Sequence, residues 1–217
     1  MTDFIYEKNL APCGIAIEEI YGAEEKSPKV WKLFALQIFS ESGGDYRSIV
    51  HIENGAPLLE DSPQRISVSH TSHHLVVASL PKTPDIDLTE VNERTVMGVD
   101  IEKADRAQVI KIRDKFLSPA EEKMVAAEDV KANILAWTCK EALYKSVMGA
   151  SPDWKEDYQI ISLPIPAADI KSATKEKFGK GLVKMADGSQ IGMNLSSWQS
   201  DGHILTLAFS SKIPMYK

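Results

Sequence analysis

Between Gly98 and Lys145 the hydrophobic period changes from two to about 3.6, and this change constrains the fold more than any other feature. Gly98-Val99-Asp100-Ile101-Glu102 alternates as a strand does. Residues two apart on a strand point the same way, so Asp100 and Glu102 share one face while Val99 and Ile101 face the core. Val130 to Val147 has helical period, with Ile134, Trp137, Ala142 and Tyr144 among the expected inner residues. Glu141 and Lys145 lie four apart and share a helix face. Three carboxylates and two lysines, Lys140 and Lys145, can therefore meet at one place. Hard cations such as Mg²⁺ take oxygen ligands and keep part of their shell for phosphate, which such a site would provide.

Charge and composition narrow the alternatives. A net charge of −6 argues against a nucleic-acid binder whose affinity comes from neutralising phosphates. No apolar run approaches the roughly 18 residues of a membrane span, and no basic segment followed by an apolar stretch marks a secretory leader. Cys13 and Cys139 are too few and too distant for a disulfide framework or a zinc site. A reduced, cytoplasmic setting is expected.

In chain order, Gly14–Ile20 reads as a strand, Pro28–Phe39 as an amphipathic core helix, Tyr46–Glu53 as a strand and Asn54–Pro57 as a turn. Arg65–Ser69 and Leu75–Ser79 are strands flanking His70, His73 and His74. Ordinary hydrogen bonding on a turn explains these histidines better than zinc, since no fourth ligand stands at a familiar spacing. Pro81–Arg94 has linker composition. Helices are expected at Ala107–Phe116, from the Ser118–Glu121 capping box through Glu128, and from Val130 until Gly149, Ser151 and Pro152 end it. Strands follow at Tyr158–Leu163, Gly181–Met185, Gln190–Leu195 and His203–Phe209, with Asp187-Gly188 as a two-residue turn. The expected class is α+β, with two similar lobes of helix packed on mostly antiparallel sheet, residues 1–95 and 96–217. The acids at 100 and 102 open the second lobe, so the site would sit at the seam.

Each motif alone is weak, because an Asp-x-Glu strand or a Lys-Glu-x-x-x-Lys helix is more often surface charge. Together, Gly98-Val99-Asp100-Ile101-Glu102-Lys103, Phe116-Leu117-Ser118 and Trp137-Thr138-Cys139-Lys140-Glu141-Ala142-Leu143-Tyr144-Lys145 resemble the 4′-phosphopantetheinyl transferases. The resemblance is to the larger, surfactin-synthetase-activating type, a pseudo-dimer within one chain. Ile66-Ser67-Val68-Ser69-His70-Thr71 is similar to that family's Ser-His segment.

The resemblance implies that Asp100, Glu102 and Glu141 hold Mg²⁺ against the pyrophosphate of coenzyme A. It implies that Lys140 and Lys145 meet phosphates or the leaving group, and that Ser69 and His70 contact phosphate. The implied reaction moves phosphopantetheine from coenzyme A to a serine of an apo acyl or peptidyl carrier protein, with Glu141 and Lys145 as catalytic groups. Neither a nucleic acid nor a membrane is an expected partner, and a monomer suffices. Acidic carriers would meet the cationic run Lys103, Arg106, Lys111, Arg113 and Lys115, which a solvated helix face explains equally well. Cys139, Trp137 and Phe116 are expected in the core. The family's Gly-Lys-Pro is Gly55-Ala56-Pro57 here, and the early helix offers only Lys29 and Lys32, with Lys26 before it and Arg47 after it. A non-catalytic protein binding coenzyme A or a carrier is the alternative, and an unrelated metal-dependent phosphotransferase or hydrolase a third reading.

Overall fold

The computed structural model describes residues 3–5, 14–19, 48–51, 57–60, 66–72, 74–79, 97–147, 153–168, 177–200 and 202–210. The expected helix at 28–39, the turn at 54–56, the linker at 81–94 and the helix stop at 149–152 lie outside them. So do Cys13, Lys26, Lys29, Lys32 and Arg47.

Period-two segments form two main antiparallel sheets, which makes the chain α+β. Strands β1 (Asp3–Ile5), β2 (Gly14–Glu19), β5 (Ile66–His70) and β6 (His74–Ser79) form the first, in the order β1-β2-β6-β5. Between them in sequence, β3 (Ile49–His51) and β4 (Pro57–Leu59) make a separate antiparallel pair. The second sheet takes β7 (Met97–Lys103), β8 (Tyr158–Ser162), β9 (Gly179–Lys184), β10 (Gln190–Ser200) and β11 (His203–Ser210), ordered β7-β11-β10-β9-β8.

Strand β7 is buried on both faces. Met97, Val99 and Ile101 join a core with Val76 and Ala78 of β6, Trp198 of β10, and Leu205, Leu207 and Phe209 of β11. Gly98 and Asp100 lie on the opposite face, under helix α3 (Val130–Ser146). The contact there is very close. A Cβ on Gly98 would stand 2.1 Å from the Ala142 carbonyl oxygen and 2.6 Å from the Ser146 nitrogen, both rigid backbone. Helix α3 begins at an Asp129 cap, whose side chain accepts from Ala132 N at 3.1 Å. Ile134, Leu135, Cys139, Ala142 and Leu143 sink into the core of the second sheet.

Local signals succeeded where they carried their own hydrogen bonds. The Ser118–Glu121 capping box forms reciprocally and opens α2 (Pro119–Glu122). That helix does not continue to Glu128 as expected. Asn133 donates to the carbonyls of Ala126, Ala127 and Asp129, and Arg113 to that of Val125, which holds the segment as turns. The helix expected at Ala107–Phe116 divides into a 3₁₀ helix, Ala107–Ile112, and one α-turn, α1 (Arg113–Phe116). The hairpin at Asp187-Gly188 holds three residues rather than two, because Gly188 takes φ 82° after a turn closed by Gly188 N to Met185 O at 2.9 Å.

The Gly98 contact yields a direct prediction. Gly98→Ala must push α3 off β7, and overpacking of this kind costs about 1–3 kcal/mol, occasionally more. Urea denaturation of the variant should show that loss; an unchanged midpoint would mean that strand and helix do not lie this close.

Candidate active site

The even-numbered face of β7 and one face of α3 supply the acids expected from the sequence. Asp100, Glu102, Glu141 and Lys145 line one cleft of about 280 Å³, together with Val68, Ser69, His70, Ile101 and Trp137. Thus six of the seven site residues expected from the sequence reach the same cavity.

Asp100 is its charged centre and is almost wholly buried. Lys145 Nζ lies 2.6 Å from Asp100 Oδ1, and Ser69 Oγ donates to the same oxygen at 2.7 Å. Lys145 Nζ also donates to Ser69 Oγ at 3.1 Å and stands 3.9 Å from Glu141 Oε2. Glu102 pairs with Arg106 at 2.5 Å, one helical turn's separation in sequence but across the end of the strand. Burial and the Asp100 charge raise the Glu141 carboxyl from the ordinary 4.5 to about 7, against the pull of Lys145. Burial likewise raises Glu102, opposed chiefly by Arg106, and lowers His70.

The donor set suits a hard divalent cation. Asp100 Oδ2 is buried and has no hydrogen-bond partner, and three carboxylates crowd a site in which one resists ionisation. As the side chains stand, no group of three or more His, Cys, Asp or Glu among the described residues is drawn together closely enough to hold a metal. Lys145 and Arg106 occupy the carboxylates instead. A cation binding all three acids would have to draw Glu102 away from Arg106.

Lys140 does not belong to this cleft. It is fully buried, pairs with Glu121 Oε1 at 2.7 Å and donates to the carbonyls of Trp154 and Tyr158. Glu121 in turn accepts from Ile160 N at 2.6 Å. The phosphate contact expected of Lys140 gives way to a structural role, because desolvating an ammonium requires such a complete set of partners.

The other readings sort similarly. Cys139 is fully buried, with its thiol pushed up to about 12 by burial, which suits packing and not nucleophilic chemistry. Phe116 is core, but Trp137 reaches both ways, stacking on Trp154 at 5.7 Å while lining the cleft. Its position four residues before Glu141 was the signal for that role. Thr71 and His74 exchange turn hydrogen bonds, Thr71 N to His74 O and His74 N to Thr71 Oγ1, as an ordinary turn would. Within the cationic run, Arg113 is committed to Asn133 and Val125, whereas Lys103, Lys111 and Lys115 are exposed.

A chain of this build, with acids and a lysine gathered in one cleft beside a sheet, has the make-up to handle phosphate groups. The family can be stated more closely. The model of the 4′-phosphopantetheinyl transferase superfamily matches residues 96–206, just over half of the chain and the whole of the β7–α3 unit. The chain belongs to that superfamily, and a transferase of this general kind is supported. A comparison with curated proteins found no match.

Two measurements test this geometry. Lys140→Met breaks a buried ion pair and should cost about 3–5 kcal/mol in urea denaturation. A nearly neutral substitution would return Lys140 to the surface and to phosphate contact. For Glu141, the native state keeps a proton up to about pH 7 that the unfolded chain releases near 4.5. More protons are then bound in the native state across that window, so this group makes stability fall as pH rises through it. In EDTA, the stability of the parent protein relative to Glu141→Gln should decline between about pH 4.5 and 7; parallel pH profiles would contradict the raised value.

Proposed function

We propose that the chain transfers the 4′-phosphopantetheine group from coenzyme A to a serine of an apo acyl or peptidyl carrier protein. The observation that carries this reading is the meeting of Asp100, Glu102, Glu141, Lys145, Ser69 and His70 in one cleft of a superfamily member. In the proposed reaction the serine oxygen attacks the β-phosphorus. The bond from that phosphorus to the bridging oxygen breaks, leaving adenosine 3′,5′-bisphosphate.

Asp100, Glu102 and Glu141 would hold Mg²⁺, which when bound neutralises charge on the pyrophosphate and leaving phosphate. Lys145 is anchored at its ammonium between Asp100 and Ser69, so it can meet phosphate oxygens without first losing side-chain freedom. His70 lines the same cleft, on the end of β5, and is suited to phosphate contact. Glu141 is the acid best matched to taking the serine proton, since its carboxyl is raised toward neutrality before any cation binds. Its metal role ranks first, because coordination weakens a base.

The surfactin-synthetase-activating type is the proposed subtype. What supports it is that the chain carries two antiparallel sheets, with Val76 and Ala78 of the first sharing a core with β7 of the second. A cytoplasmic monomer is the proposed setting. The competing reading, a non-catalytic protein that binds coenzyme A or a carrier, draws on Arg106 closing Glu102 and on Ala56.

Purified protein with coenzyme A, Mg²⁺ and apo carriers should make a carrier heavier by one phosphopantetheine, read by intact-protein mass spectrometry. Asp100→Ala and Glu141→Ala should each slow transfer by about 10²–10⁴-fold. Coenzyme A binding with no mass shift on any carrier, where a known transferase succeeds on the same carriers, would instead establish the non-catalytic reading.

A further inference from the structure

Strands β5 and β7 each end their own sheet, and the open edge of β7 lies beside β5 without a backbone ladder between them. An open strand edge leaves N–H groups that must be paired when buried. Here serine hydroxyls do the pairing. Val99 N donates to Ser67 Oγ at 3.0 Å and Ile101 N to Ser69 Oγ at 3.3 Å, all within the interior. The two serines are two residues apart on β5, so both reach the same side, matching the two-residue spacing of the N–H groups.

Ser69 differs from Ser67 in what its hydroxyl does next. A serine hydroxyl has one hydrogen to donate and two lone pairs to accept with. The hydrogen of Ser69 goes to Asp100 Oδ1 at 2.7 Å. The lone pairs take Ile101 N and Lys145 Nζ. Nothing remains for a phosphate oxygen.

We infer that Ser69 is a positioning residue, acting through Asp100 and Lys145 instead of touching the cofactor. This rests on the proposed function and deepens it. By donating to Oδ1, Ser69 fixes the rotation of the Asp100 carboxylate and leaves Oδ2, the oxygen without a partner, for a cation. By accepting from Lys145, it holds the ammonium at the same carboxylate, 3.9 Å from Glu141. Partners of this kind, bonded to a metal-binding carboxylate, typically change metal affinity by about 10–100-fold.

Ser67 supplies the internal control, since it closes the same edge with no bond to Asp100. The experiment uses the full chain in four forms: parent, Ser69→Ala, Ser67→Ala and Ser69→Thr. Binding of Mn²⁺ alone is followed by electron paramagnetic resonance, and transfer kinetics are measured with coenzyme A varied. Ser69→Ala should weaken Mn²⁺ binding about 10–100-fold and lower kcat with the KM for coenzyme A little changed. Ser67→Ala should lose comparable stability in urea yet keep Mn²⁺ affinity, and Ser69→Thr should restore it. Equal effects of the two alanine variants would reduce Ser69 to edge closure. A raised KM for coenzyme A at unchanged Mn²⁺ affinity would return it to phosphate contact. Failure of the parent itself to bind Mn²⁺ or transfer would sink the functional reading, a result distinct from either.

Discussion

The site depends on the backbone of β7 lying directly against the backbone of α3. At Gly98 there is no room for even a methyl group, and the atoms in the way are main chain, which cannot move aside as a side chain can. This contact fixes the height of the strand on the helix. Once it is set, alternation along β7 puts Asp100 and Glu102 on the helix side, and the turn period of α3 puts Glu141 and Lys145 opposite them. The other face of β7 is sealed by Val76, Ala78, Leu205, Leu207 and Phe209, so the strand cannot rotate to relieve its acids. Packing therefore buries Glu141 beside Asp100, and burial first, with that like charge second, raises its carboxyl.

Two lysines on one helix show how the same charge takes opposite roles. Lys140 and Lys145 are separated by about 140° around an ideal helix, while Glu141 and Lys145 are only about 40° apart. Lys140 therefore turns toward α2 and β8, where Glu121 and the carbonyls of Trp154 and Tyr158 surround it. There it welds the helix to the far side of the sheet. Lys145, partly exposed, keeps its ammonium at the cleft. The pair flanks the acid between them, one lysine securing the helix that presents Glu141 and the other sharing its pocket.

What could be read in advance follows from how local each determinant is. The strand of Gly98–Glu102, the helix from Val130 and the capping box at Ser118 are specified by residues a few positions apart, and all three form. The convergence of Asp100, Glu102, Glu141 and Lys145 was legible because period and spacing alone set their faces. The fate of Lys140 was not, since its partner Glu121 lies 19 residues away and no local pattern joins them. The false helix through Glu128 has the same cause. Ala126 and Ala127 favour helix, but Asn133 and Arg113 take the carbonyls that the helix would have used. Tertiary hydrogen bonds overrode propensity there. Ser69 was legible as a residue of the cleft but not in its bonding, because its hydrogen bonds run to residues 31 and 76 positions further on.

The junction of the two sheets explains why a hydroxyl, and not a continued ladder, joins β5 to β7. A backbone carbonyl could have satisfied the N–H of Ile101, but it carries no hydrogen to pass on. A hydroxyl accepts from the strand edge and donates to the acid beside it. At Ser69 those functions fall on one oxygen, so closing the edge and orienting Asp100 become a single event. Among the described residues, Ser67 performs the first function alone. Moving β5 away from β7 would then do more than open a buried edge. It would release Asp100 and Lys145 together, since Lys145 bonds to both the serine and the carboxylate. Assembly of the sheets and organisation of the charged cleft are thus one set of hydrogen bonds, and the cleft exists in its ordered form only where the first sheet is docked.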